Sequence, residues 1–301
     1  MQTELVENRR VGSRATVRIC STVPNWSLWA WSNPTKVLYG PVPTRRLGRS
    51  LGINLFPNGK HCSFKCAYCD LEISDRNLGP SSLVSPARLE VLLEESFQNY
   101  PASGGAPPDS LTFAGNGEPT LHPGFAALVK RAQSLRDDAM PSVPLNLFTN
   151  GMHLSQPHVL DSFYAFRRVF LKVDGCKQTT LERLNGAGAW SGTRQALSLV
   201  AGLKNVAAST MVVAGSIDNI KEVASQAFAD QINKSLVSEI YLYTLDYPAK
   251  HRGIRPLSLP QLQVVGEVVA EQVSASVIVL WRAYRHPSVS GLSENPNVAP
   301  I

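Results

Sequence analysis

From Ser50 onward the chain alternates short runs of β-forming residues with longer amphipathic stretches, and few folds accept that rhythm. The runs are SLGINLF (50–56), SLTFAG (110–115), PLNLFTN (144–150), RVFLKVD (168–174), STMVVAG (209–215) and EIYLYTLDY (239–247). Most are almost continuously apolar, as strands covered on both faces must be, so they predict a parallel sheet with helices outside it. The helical stretches between them are 85–100, 123–137, 157–166, 191–204, 219–235 and 259–273. Ser85 is placed to cap the first of these, and Pro86 takes its first helical position. Six βα units are too few for a closed eight-stranded barrel. The expected fold is therefore α/β, a partial (β/α)6 open TIM-type barrel, with a flat doubly wound sheet as the less favoured alternative.

Three segments follow. Residues 1–40 carry Trp26, Trp29 and Trp31 but no sustained period, and are expected to form an irregular N-terminal arm. Residues 41–285 form the barrel domain, to which SASVIVLWRAY (273–283) is placed to add a last strand as a C-terminal extension. Residues 286–301, rich in Pro, Ser and Asn, read as a loose tail.

Of the 301 residues 44% are hydrophobic and 17% charged, enough apolar content for a core and too little charge for a disordered polymer. The net charge of +6 suits an anionic partner without requiring one. No secretory or membrane-spanning apolar run stands near Glu4, Glu7, Arg9 and Arg10, so no membrane association and a cytoplasmic location are expected. Five cysteines, three of them within eight residues, do not make a disulfide framework in a chain this long; a reducing compartment and a metal site fit better.

HCSFKCAYCDL sets Cys62, Cys66 and Cys69 in a C-x3-C-x2-C array on the loop after the first barrel strand. Short spacers let three thiolates converge without a long conformational search. Three thiolates also leave one metal position open, which separates a site that binds a ligand from a purely electron-transferring or structural one. The competing reading is a zinc knuckle completed by His61 or His251, in a nucleic-acid-binding protein without radical chemistry.

The array CSFKCAYC, followed one βα unit later by FAGNGEPTLHP (113–123), resembles the radical S-adenosylmethionine (SAM) superfamily. With GPVPTRRLGRSLGINLFP (40–57), FTNG (148–151), LKVDG (171–175), VVAGSIDN (212–219) and LYTLDYPAKHRGIRP (242–256), it is similar to the stand-alone proteins related to the wybutosine-synthesising tRNA enzymes. That resemblance implies one 4Fe-4S cluster on the three cysteines and SAM on its open iron. It implies reductive cleavage of SAM to a 5'-deoxyadenosyl radical, with an electron donor such as flavodoxin or ferredoxin. It implies SAM contacts from Gly115, Asn116, Gly117 and Glu118, although Asn116 departs from the usual second glycine.

Tyr68 stands at the family's aromatic position beside adenine. Asn150, Lys172 and Asp174 end strands on the face where polar groups in barrels serve ligands, with Lys172 where relatives commonly carry Ser. Val213 and Gly215 are candidates to flank adenine, and Cys176 is a candidate catalytic donor to a substrate radical. His122 and His251 are further candidates, as are two basic groups, Arg45/Arg46/Arg49 and Lys250/Arg252/Arg255, expected to line one mouth and meet phosphate or carboxylate. The substrate class is a small anionic molecule or an RNA nucleoside.

Overall fold

A computed structural model of the chain describes residues 6–11, 15–20, 36–71, 83–102, 106–246, 249 and 251–281. The core of the sheet forms where the apolar runs stand: β4 Gly48–Ile53, β5 Ser110–Phe113, β6 Leu145–Thr149, β7 Arg168–Lys172, β8 Val206–Met211 and β10 Glu239–Tyr243. Every residue of β5 and of β8 is buried, the signature of strands packed on both faces. Further strands are β1 Val6–Val11, β2 Ala15–Cys20, β3 Leu38–Thr44, β9 Ala214–Gly215, β11 Ile254–Arg255 and β12 Ser276–Trp281. The main sheet has ten strands in the order β1-β2-β12-β10-β8-β7-β6-β5-β4-β3. From β2 through β4 all neighbours are parallel, and β1 and β3 are antiparallel edges. Since β1 and β3 do not pair in that order, the sheet stays open.

The irregular arm expected over residues 1–40 is corrected here: β1 and β2 form an antiparallel hairpin whose β2 runs parallel to β12. The alternation Val17-Arg18-Ile19 is not a continuous apolar run, so a search for such runs passes over it. Trp26, Trp29, Trp31 and the tail after Trp281 lie outside the described residues.

The helices are α1 Pro86–Ala102, α2 Phe125–Ala139, α3 Pro157–Asp161, α4 Gln178–Asn185, α5 Ala189–Leu199, α6 Ile220–Val223, α7 Gln226–Ser235 and α8 Leu259–Gln272. Ser85 Oγ accepts from Arg88 N at 3.2 Å, the expected cap of α1. The single helix expected over 219–235 breaks in two because Ser225 caps α7, its side chain accepting from Phe228 N. A large apolar layer, including Leu51, Leu111, Leu145, Val169, Ala208, Leu242 and Val279, fills the space between sheet and helices. A second group lies on the other face of the strands: Phe170, Ala207, Met211, Tyr241, Tyr243, Ile278 and Leu280. That second face is the barrel interior. The tip of the β3–β4 hairpin crosses to it, for Arg45 Nη1 reaches Asp246 Oδ1 at 2.9 Å and Thr244 O at 3.3 Å, just beyond β10.

Candidate metal and cofactor site

The cysteine loop leaves β4 at its C-terminal end and is fastened on two sides by backbone. On one side His61 N donates to Asn116 O at 2.9 Å and Glu118 N donates to His61 O at 2.9 Å, a one-residue parallel bridge between the cysteine loop and the glycine turn after β5. Gly117 permits this approach: its φ is +136°, and a Cβ there would stand 1.8 Å from His61 O. On the other side Lys65 N donates to Asn185 O and Ala67 N to Leu184 O, each at 2.8 Å, tying the loop to the end of α4. Phe64, almost fully buried against Leu181 and Ala189, pins it from beneath.

Each thiol receives N–H donors. Phe64 N lies 3.4 Å from Cys62 Sγ, Asn185 Nδ2 3.3 Å from Cys66 Sγ, and Lys60 Nζ 3.2 Å from Cys69 Sγ. Asn150 Nδ2 approaches Cys62 Sγ at 3.7 Å. These donors favour thiolates, whereas burial and then the Glu118 charge push the Cys62 thiol up to about 12, and burial raises Cys66. Such thiols ionise against the positive charge of a metal group. An iron–sulfur cluster, in which each thiolate binds a different iron, fits the donor set of Cys62, Cys66 and Cys69.

The glycine turn is shaped as much by its neighbours as by any ligand. Gly115 has φ +148°, and a Cβ would stand 2.5 Å from Asn54 Oδ1, which accepts from Asn116 N at 3.1 Å. Asn116 is buried and donates through Nδ2 to Phe56 O at 3.2 Å. Glu118, 2% exposed, turns inward. Its Oε1 accepts from Thr120 N (3.1 Å), Thr120 Oγ1 (2.6 Å) and Thr149 Oγ1 (2.6 Å), and its Oε2 from Asn150 N (2.6 Å). The carboxylate thus clasps the glycine turn to the end of β6. Asn150, so held, donates through Nδ2 to Ser63 Oγ at 3.0 Å in the cysteine loop.

Tyr68, Lys172 and Asp174 meet in one network on the opposite side of the loop. Tyr68 donates its hydroxyl proton to Asp174 Oδ2, and Lys172 Nζ lies 2.6 Å from that hydroxyl, 3.6 Å from Asp174 Oδ2 and 4.9 Å from the Tyr68 ring centre. Asp174 is fully buried and also accepts from Asn185 Nδ2 at 2.8 Å and Met211 N at 2.8 Å. Burial alone would lower the Lys172 pKa, but Asp174, Tyr243 and Cys66 together raise it, so the ammonium is firmly charged.

Other expected groups stand elsewhere. Cys176 packs against the layer between sheet and helices; burial and then Glu222 push its thiol up to about 11, and no described contact joins it to the cysteine trio. Val213 is a buried residue of the inner face, and Gly215, at φ +118°, pairs with Ile254 where a Cβ would stand 2.0 Å from Gly253 O. His122 is buried beside Phe56, its Nδ1 accepting from Gly124 N at 3.0 Å, while His251 is exposed and its Nδ1 accepts from Gly253 N. Of the two basic groups, Arg45 alone has a described contact to the segment after β10, at Thr244 O and Asp246. Arg49 is exposed and occupied by Asp109 and Pro107 O, Arg252 and Arg255 are exposed, and Lys250 lies outside the described residues. Sequence reasoning missed Lys60 and Asn185. The first stands two residues before Cys62, a signal that was there to use; the second is the last residue of α4, a short helix whose position against the cysteine loop no spacing in the sequence indicates.

No family model matches the sequence. In sequence the chain is similar to a UPF0026 protein of Helicobacter pylori, 27% identical over 233 residues covering 74% of this chain and 70% of that protein. It is equally similar to a UPF0026 protein of Methanocaldococcus jannaschii, 27% over 242 residues, 78% and 70%. In structure it matches TYW1 with a lysine-pyruvate adduct bound (TM-score 0.53, 15% identity, 75% of this chain and 74% of that one). It also matches Streptococcus suis SuiB bound to S-adenosylmethionine (TM-score 0.52, 13% identity, 77% and 46%). The resemblance to TYW1-like radical SAM proteins that the cysteine and glycine motifs carry therefore extends to the fold of the barrel.

Proposed function

We propose that this chain is a radical SAM enzyme in which Cys62, Cys66 and Cys69 hold one 4Fe-4S cluster. The observation that carries this is the bridge from His61 to Gly117, which locks a three-thiol loop against a glycine turn at the C-terminal mouth of a parallel barrel. When bound, the cluster supplies one electron for reductive cleavage of SAM's carbon–sulfur bond. The chain's own residues do the rest. Lys60, Phe64, Asn150 and Asn185 present N–H groups that stabilise the thiolates. Glu118 fixes the glycine turn and the end of β6 as one wall of the SAM cleft, and the Tyr68–Asp174–Lys172 network forms the other. The aromatic inner face keeps water from the reacting carbon.

SuiB, whose structure holds S-adenosylmethionine, shares this fold, which supports the cofactor assignment. A flavodoxin- or ferredoxin-type donor supplies the electron, and the substrate is an anionic small molecule or an RNA nucleoside. No helix among the described residues is long and apolar enough to cross a membrane.

Anaerobic reconstitution tests the reading. The wild type takes up about four irons per chain, its cluster spectrum changes on adding SAM, and dithionite then yields 5'-deoxyadenosine; Cys66→Ala loses all three. A protein that binds zinc instead, or a cluster blind to SAM, overturns it.

A further inference from the structure

We infer that the barrel interior carries a binding site for a compact anionic group, a carboxylate or phosphate of the substrate, built on the fork of Arg46 with Lys172 and Tyr243 beside it. This rests on the enzymatic reading above and names the substrate class for it.

The three arginines of the β3–β4 hairpin tip meet different fates. Arg45 is neutralised by Asp246 at 2.9 Å, and Arg49 lies outside against Asp109. Arg46 enters the barrel. Its guanidinium carbon is 4.3 Å from the ring centre of Tyr243, 5.2 Å from those of Phe148 and Phe170, and 5.6 Å from that of Tyr241. It makes no salt bridge with any described carboxylate, and its polar neighbour is the Tyr243 hydroxyl. Cation–π contacts cover the faces of a guanidinium and leave its edge, the set of N–H donors that matches a carboxylate or phosphate in two-point fashion, for another partner.

Charge on the inner face makes the same point. Arg168 is offset by Glu239 at 3.1 Å, and Arg45 by Asp246. Lys172 is paired with Asp174 at 3.6 Å, a carboxylate that also accepts from Tyr68, Asn185 and Met211. That leaves Arg46 with no carboxylate of its own among the described residues, in an aromatic-lined interior where an unpaired ion costs far more than in water. Lys172 and Arg46 both bring down the Tyr243 hydroxyl against the opposing effect of its burial, so the positive field reaches the space between them. An anion drawn there stands beside Lys172, whose ammonium lies 2.6 Å from the Tyr68 hydroxyl of the cysteine loop.

The test is anion binding by the reconstituted holoprotein, read as the rise of its thermal unfolding midpoint with added inorganic phosphate or acetate, chloride being used to hold ionic strength constant. The wild type responds saturably to at least one. Arg46→Gln weakens that binding about tenfold or more, the loss of a charge-assisted two-point contact. Arg46→Lys, which keeps charge but not the fork, weakens it less, and Arg194→Gln, an exposed arginine stacked on Trp190, leaves it unchanged. A response to phosphate alone identifies a phosphorylated substrate, and one to acetate alone a carboxylate. No saturable response, or equal affinity in wild type and Arg46→Gln, overturns the proposal; if Arg46→Gln does not fold, equal affinity in Arg46→Lys does so. Cys66→Ala separates the two readings, because it loses SAM cleavage yet keeps the Arg46-dependent anion response.

Discussion

Glu118 and Asp174 are both carboxylates just beyond the C-terminal ends of parallel strands, exposed by 2% and 0%, on opposite sides of the same cysteine loop. Their partners differ in kind. Glu118 is held by two backbone N–H groups and two threonine hydroxyls, all neutral, and every one belongs to the frame. Asp174 is held by one backbone N–H, an amide, a phenol and an ammonium, and three of those side chains also face the cysteine loop or the barrel interior. A ring of neutral donors fixes a charge in place and leaves it little to do. A cation and a phenol on the same carboxylate form a network that a ligand's charge can rearrange, so the β7 side of the loop is where chemistry is adjustable and the β5 side is where it is framed.

The largest effect comes from breaking the frame. Glu118→Ala leaves Thr120, Thr149 and the Asn150 N–H unpaired in the interior and costs about 3–5 kcal/mol in urea unfolding. A cost below about 1 kcal/mol with selectively weaker SAM binding reverses the comparison and makes Glu118 a ligand contact. Next is Asp174→Asn, which keeps the shape but strands the partly exposed Lys172 ammonium; a loss of about 1–3 kcal/mol is expected, along with a changed environment at Tyr68 visible in ultraviolet difference spectra. The smallest effect is a pH dependence on the Glu118 side. Burial lowers the His122 pKa, so below about pH 6.5 the unfolded chain binds a proton that the folded chain refuses. Stability therefore falls as pH drops through that range, by at most about 1.4 kcal/mol per unit. The pH series of His122→Asn is flatter than that of the wild type by this amount; parallel series show that His122 is not the group responsible.

Much of this was legible before any coordinates, for reasons that also mark the limit. A strand covered on both faces writes a continuous apolar run, so β4 to β8 and β10 stood out, and cysteines spaced within one loop have few ways to avoid each other. Spacing, however, places a residue without orienting its side chain: GNGE locates Glu118 but cannot say that the carboxylate turns back to Thr149. Nor can adjacency separate Arg45 from Arg46, whose side chains go to a carboxylate and to an aromatic enclosure. The hairpin β1–β2 was hidden because VENRRV and ATVRIC contain no continuous apolar run.

The pairing of Ala15 with Val277 joins strands some 260 residues apart in the chain. During biosynthesis some 260 residues must be made after β2 before its parallel neighbour β12 exists, so until then the side of β2 that β12 will cover has unsatisfied backbone donors and acceptors. Completion of the sheet is then a late, long-range event, and the interval before it is when this protein is most open to mispairing with another nascent copy.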